Sequence, residues 1–99
     1  MALIMDPAGD EIRVLKGVTN WRGKCILEVG CGDGRLTLRL ATFNPGKIVA
    51  FDPELKSIHT ARKNLPKKYQ ERIEYRLGNA EHVKQKANRF DIVIFSWVL

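Results

Sequence analysis

Apolar positions along the 99-residue chain fall into compact runs separated by glycine, proline and charged residues, and their spacing alternates between two periods. Lys24-Cys25-Ile26-Leu27-Glu28-Val29 is nearly continuously apolar and ends in Gly30-Cys31-Gly32-Asp33-Gly34, as a buried strand running into a glycine turn does. Leu36, Leu40 and Phe43 then recur at helical spacing, with Asp33 placed as the N-cap and Asn44-Pro45-Gly46 as the closing turn. Lys47 to Phe51 is a second apolar run ending at Asp52, and Leu55, Ile58, Ala61 and Leu65 mark one face of a helix until Pro66 intervenes. Ile73, Tyr75 and Leu77 alternate with Glu74 and Arg76, predicting a third strand. Gly78-Asn79 follows, then a weakly patterned helix through Val83 and Ala87, and Phe90 to Phe95 is a fourth strand. Upstream, Asp6-Pro7 reads as a helix start and Gly17 as its end, giving a short helix at about 7–16.

Strands separated by helices of this length build βαβ units, hence an α/β fold with a parallel, doubly wound sheet and helices on both faces. The chain stops at Ser96-Trp97-Val98-Leu99, directly after its most apolar strand. A central parallel strand is normally flanked on both sides, so the pattern reads as a fold cut short after its fourth strand, or as one whose open edge a second copy covers in a homodimer.

Composition narrows the class. With 44% hydrophobic and 28% charged residues the chain is a single globular domain. The apolar opening Met1 to Met5 lacks a basic flank and stops at Asp6-Pro7, so it is not a secretory signal, and no run reaches the roughly 20 residues of a membrane span. Cys25 and Cys31 match neither a disulfide framework nor a metal pair, which points to a reduced, cytoplasmic setting and no metal. The net charge of +6 is uneven: residues 1–55 carry seven charges of each sign, whereas 56–89 carry ten basic residues against Glu71, Glu74 and Glu81. Such a segment either forms solvated helix faces or meets phosphate or another anion.

The chemistry concentrates at the glycine turn. Glycines at 30, 32 and 34 permit positive φ and close approach of a ligand to the backbone. The spacing is G-x-G-x-G, and Arg35 stands where the dinucleotide fingerprint needs its third glycine, which argues against a nicotinamide or flavin site. Asp52, at the end of the second strand of this pattern and twenty-two residues after Gly30, is placed to accept hydrogen bonds from both hydroxyls of a ribose.

Residues 26–34 (ILEVGCGDG), 49–61 (VAFDPELKSIHTA), 77–81 (LGNAE) and 90–99 (FDIVIFSWVL) together resemble, in order and spacing, the class I S-adenosylmethionine-dependent methyltransferases. The resemblance covers residues 20–99, roughly the first half of such a domain, and leaves 1–19 as an N-terminal helix and linker. It implies a Rossmann-like sheet, S-adenosylmethionine as cofactor and methyl transfer as the activity. Carried over by residue, it implies that Glu28 sits near the amino group of the cofactor, with the backbone of Gly30, Cys31 and Gly32 beside the methionine portion. Asp52 would bind the ribose, Pro53 would pack on adenine, and Asn79 and Ala80 would meet the adenine edge. Asn79 stands where the family usually has aspartate, keeping an acceptor oxygen without the charge. Ser96 and Trp97 would lie near the methionine portion and the mouth of the acceptor site.

No general base is identified. Ser96 to Leu99 lack the proline-containing signature of the amino methylases of DNA, and the segment resembles the branch acting on small molecules, so a small-molecule acceptor is expected. Two other readings stand beside it: a module that binds S-adenosylmethionine or a nucleotide without catalysis, and an RNA-binding or RNA-methylating protein that uses the basic 56–89 segment. His59 and His82 fall on helices rich in lysine and arginine and read as surface residues.

Overall fold

The computed structural model describes residues 2–5, 17, 19–79 and 87–95. Five strands, β1 (Ala2–Met5), β2 (Cys25–Val29), β3 (Lys47–Asp52), β4 (Ile73–Leu77) and β5 (Ile92–Phe95), form one sheet in the order β1-β5-β2-β3-β4. Every pairing is parallel. The helices α1 (Arg35–Ala41) and α2 (Leu55–Lys63) are the crossovers from β2 to β3 and from β3 to β4. The four strands read from the hydrophobic pattern are all present.

Alternation along the strands sorts the core into two layers. Ile26, Ile48, Ala50, Ile73, Tyr75, Ile92 and Ile94 point to one face and pack with Leu36, Leu40 and Ala41 of α1 and Ile58 and Ala61 of α2. Trp21 joins this layer, its ring 5.4 Å from that of Phe43. Leu27, Val29, Val49, Phe51 and Val93 form the layer on the opposite face, with Phe90 and Phe95 against it. Each fully buried aliphatic side chain contributes about 1.5–3 kcal/mol. Both described helices thus lie on one face, where helices on both faces are expected from the sequence.

Four further expectations are corrected. The edge of β5 is not open to a second copy, because β1 pairs with it from Ala2 opposite Ile92 to Met5 opposite Phe95. Four apolar residues are too few to show a period, which is why this strand escapes sequence reading. Gly34, not Asp33, occupies the N-cap of α1; Asp33 still serves the helix start by accepting the Arg35 amide at Oδ1 (3.3 Å). Leu55 does not join the core face of α2: as the first helical residue it is 51% exposed. α2 ends at Lys63, two residues short of Leu65, whose helical conformation Pro66 disfavours. The helix expected at 7–16 lies outside the described residues, as does most of the weak helix through Val83, whose far end is a 3-10 turn at Ala87–Arg89.

Candidate functional site

From β2 the chain runs outward through β3 to β4, then crosses back to place β5 on the other side of β2. This reversal of direction makes a crevice at the carboxyl ends of the strands, where ligands of open α/β sheets bind. The glycine turn leaves β2 at that point.

The turn is bolted to β3. The amides of Gly30 and Cys31 both donate to the Phe51 carbonyl, at 2.7 and 3.0 Å, and the Gly32 amide donates to Asp52 Oδ2 at 2.9 Å. Asp52 Oδ1 accepts the Glu54 amide at 2.9 Å, so the backbone on either side fixes the plane of the carboxylate. A carboxylate offers about four lone-pair positions, and two remain for a ligand. Asp52 is half-buried at the strand end, and its carbonyl accepts the Gly78 amide at 3.1 Å, which draws Gly78-Asn79 alongside. Leu77, in register with Asp52, and Leu55 are each 51% exposed at this end of the sheet.

The glycines divide into two kinds. Gly32 has φ +56° and a Cβ built there would meet nothing within 4 Å, so the turn faces open space beside Asp52. Gly34 has φ +89° and a Cβ there would collide with Tyr75 Oη and stand 3.3 Å from the Ala61 Cβ. Gly32 therefore leaves room for a ligand, whereas Gly34 lets the turn close on the core.

Beneath the turn lies a buried polar group that sequence reading only partly reaches. Glu28 is fully buried and accepts the Thr37 hydroxyl on α1 at Oε1. Tyr75 Oη is buried beside it, without a hydrogen-bond partner of normal geometry among the described residues. Burial pushes the Tyr75 phenol up, Thr37 opposing and Glu28 adding to the shift. Burial likewise pushes the Cys31 thiol up, reinforced by Glu28 and Asp52. Cys31 is thus a protonated, packed side chain whose Sγ faces the Gly32 carbonyl at 3.6 Å. Thr37 was within reach of the sequence as a small hydroxyl next to Leu36 on the inward face of an apolar helix, and Tyr75 as the inward member of the Ile73, Tyr75, Leu77 alternation.

The structure brings Glu28, Gly30, Cys31, Gly32 and Asp52 together at one strand end, with Pro53 and Asn79 exposed beside them. Ala80, Ser96 and Trp97 lie outside the described residues, as does His82. His59 is on the exposed face of α2, and Cys25 is half-buried. Among the described residues no three His, Cys, Asp or Glu side chains are grouped to hold a metal ion, and no helix is long and apolar enough to cross a membrane.

These residues fit a ribose-bearing cofactor. A pre-oriented carboxylate with spare lone pairs faces a turn that has room for a ligand, and two apolar side chains border it. Comparison with known proteins agrees. A curated relative, the tRNA U34 carboxymethyltransferase of Campylobacter concisus, is 32% identical over 85 residues, covering 84% of this chain; the chain spans 28% of that protein's length. A Listeria monocytogenes protein named as an S-adenosylmethionine-dependent methyltransferase superposes with a TM-score of 0.72 at 18% identity, covering 90% of this chain and 39% of its own. Phosphoethanolamine N-methyltransferase 1 of Haemonchus contortus, solved with phosphoethanolamine and S-adenosylhomocysteine, superposes with a TM-score of 0.61 at 24% identity, covering 77% of this chain and 16% of its own. Residues 26–99 match the family model described as a methyltransferase domain, and the chain belongs to that family, the class I methyltransferases whose cofactor is S-adenosylmethionine.

Proposed function

We propose that residues 20–99 are the cofactor-binding portion of a methyltransferase that acts on RNA. The observation that carries the cofactor half of this reading is the Asp52 carboxylate, held by the Gly32 and Glu54 amides and facing the open side of the glycine turn. Asp52 binds the ribose hydroxyls, and the turn from Gly30 to Gly32 passes along the methionine portion. Leu55, Leu77 and Pro53 supply apolar surface for adenine, and Asn79 and the next residue in sequence, Ala80, are proposed for its polar edge. Glu28 acts from below: its buried bond to Thr37 ties the end of β2 to α1 and so sets the height of the turn. Ser96 and Trp97, which follow β5 in the sequence, are the residues proposed for the methionine portion and the mouth of the acceptor site.

When bound, the cofactor supplies a methyl group already activated by the adjacent sulfonium. What the protein adds is position, holding the acceptor atom about 3–3.5 Å from the methyl carbon and in line with the departing sulfur. None of the described residues in the crevice is placed as a general base.

The choice of acceptor rests on the relative named for tRNA, the most direct pointer available, together with the basic 56–89 segment. It displaces the small-molecule acceptor expected from the sequence. Incubation of the protein with methyl-tritiated S-adenosylmethionine, total tRNA and a metabolite extract tests it. Label recovered in tRNA supports the reading, and a nucleoside heavier by one methyl group identifies the product. Label confined to small molecules overturns it.

A further inference from the structure

The chain builds a second concavity at the amino ends of the strands, the end of the sheet remote from Asp52. Arg22, Gly23, Asn44, Pro45, Gly46 and Arg72 line a cleft of about 400 Å³. Its floor is backbone locked to backbone. The Gly23 amide donates to the Asn44 carbonyl at 3.1 Å and the Gly46 amide to the Lys24 carbonyl at 2.9 Å, while Gly23 (φ 73°) and Asn44 (φ 60°) make left-handed turns. A Cβ at Gly46 would stand 2.8 Å from the Gly23 carbonyl oxygen, so the two turns are in close contact.

The walls are two arginines from separate loops, each anchored through its backbone. The Arg22 amide donates to Asn20 Oδ1 at 3.2 Å; the Arg72 amide donates to the Tyr69 carbonyl at 2.9 Å, and the Arg72 carbonyl accepts the Ile48 amide at 2.7 Å. Among the described residues neither guanidinium is paired with a carboxylate. Asp91, at the same end of the sheet, is engaged by the Cys25 amide at 2.9 Å, and Glu71 is exposed beside Arg72 in sequence. Register adds charge to the rim: Cys25 pairs with Lys47 and Ile48 with Ile73, so Lys47 at the first position of β3, and Lys24 and Arg72 one residue before β2 and β4, fall at neighbouring places along one end of the sheet.

We propose that this cleft is a phosphate-binding site, in which Arg22 and Arg72 share the anion and the Asn44 carboxamide adds a donor. Among the described residues the two guanidiniums that line this polar cleft have no carboxylate partner, and the planar forks of arginine match a phosphate with its several acceptor oxygens. The phosphate comes from solution or from a nucleic-acid backbone. The site is independent of the cofactor crevice at the other end of the sheet.

The test titrates the full chain with inorganic phosphate by calorimetry and with a short fluorescent single-stranded RNA by anisotropy. Three proteins are compared: the unaltered chain, R22Q/R72Q and, in the phosphate titration alone, K56Q/K63Q as a charge-matched control on exposed positions of α2. Thermal melts and S-adenosylhomocysteine binding verify that each variant is folded. Phosphate binds the unaltered chain and the control alike and binds R22Q/R72Q roughly tenfold or more weakly. If the source is a nucleic-acid backbone, RNA affinity falls in the same variant and its salt dependence becomes shallower by about 1.4 in log–log slope, two contacts' worth. If the source is free phosphate, RNA affinity is unchanged while phosphate binding is lost. Phosphate that fails to bind the unaltered chain, binds R22Q/R72Q equally, or is lost equally from K56Q/K63Q overturns the site.

Discussion

At the scale of single residues, the glycine turn separates folding from binding. Gly34 takes φ +89° directly over Tyr75 Oη, so a methyl group there meets both a strained backbone and a packed phenol. Gly34→Ala is expected to destabilise the fold by about 2–4 kcal/mol, a left-handed penalty plus overpacking, read as a fall in the denaturation midpoint. Gly32→Ala costs only the backbone penalty of about 1–2 kcal/mol, because open space surrounds its Cβ, but it obstructs the cofactor. S-adenosylhomocysteine titration of the two variants checks the contrast: the larger loss of affinity belongs to Gly32→Ala and the larger loss of stability to Gly34→Ala. The two raised acids make a further residue-scale prediction. Cys31 and Tyr75 keep their protons in the folded chain at pH values where the unfolded chain releases them. Their contribution is therefore intact below the ordinary thiol range of about 8.5 and declines as pH rises above it. Thermal melts across this alkaline range should show a falling midpoint, with a shallower fall in Cys31→Ala.

At the scale of elements, legibility followed the length of the hydrophobic signal. Strands β2 to β5 carry either a consecutive apolar run or, in β4, the alternation Ile73, Tyr75, Leu77, each set between helical patterns, and all four were readable to within two residues. β1 has four apolar residues and no period, and only its pairing with β5, a contact between the two ends of the sequence, makes it a strand. Leu55 failed for another reason: periodicity reports the face of a helix but not that its first turn projects beyond the sheet. β1 also protects the most apolar strand from edge-to-edge pairing. Deleting residues 1–5 should expose β5 and promote association, seen as a concentration-dependent rise in light scattering that the intact chain does not show.

At the scale of the whole molecule, the parallel sheet divides chemistry between its ends. The carboxyl end gathers Gly30, Cys31, Gly32 and Asp52 into a cofactor crevice, and the amino end gathers Arg22, Lys24, Lys47 and Arg72. The first grouping was legible because its members follow strands at family spacing. The second was not, since Arg22 and Arg72 lie fifty positions apart and only strand register makes them neighbours. Thr37 and Tyr75 were legible as inward-facing positions, but their meeting with Glu28 was not, since it depends on how α1 lies against the sheet. In the basic 56–89 segment Lys56, Arg62, Lys63, Lys67, Lys68 and Arg72 are all exposed, as a surface that meets an anionic partner must be.

The central claim is that Asp52 and the glycine turn hold S-adenosylmethionine, and its most direct test is calorimetric titration of the chain and of Asp52→Ala with S-adenosylhomocysteine, with NAD in parallel. The account predicts saturable binding of S-adenosylhomocysteine alone, weakened in Asp52→Ala by about 1.5–3 kcal/mol, the worth of hydrogen bonds to a charged group. Binding undiminished by Asp52→Ala, or binding of NAD in place of S-adenosylhomocysteine, would contradict it.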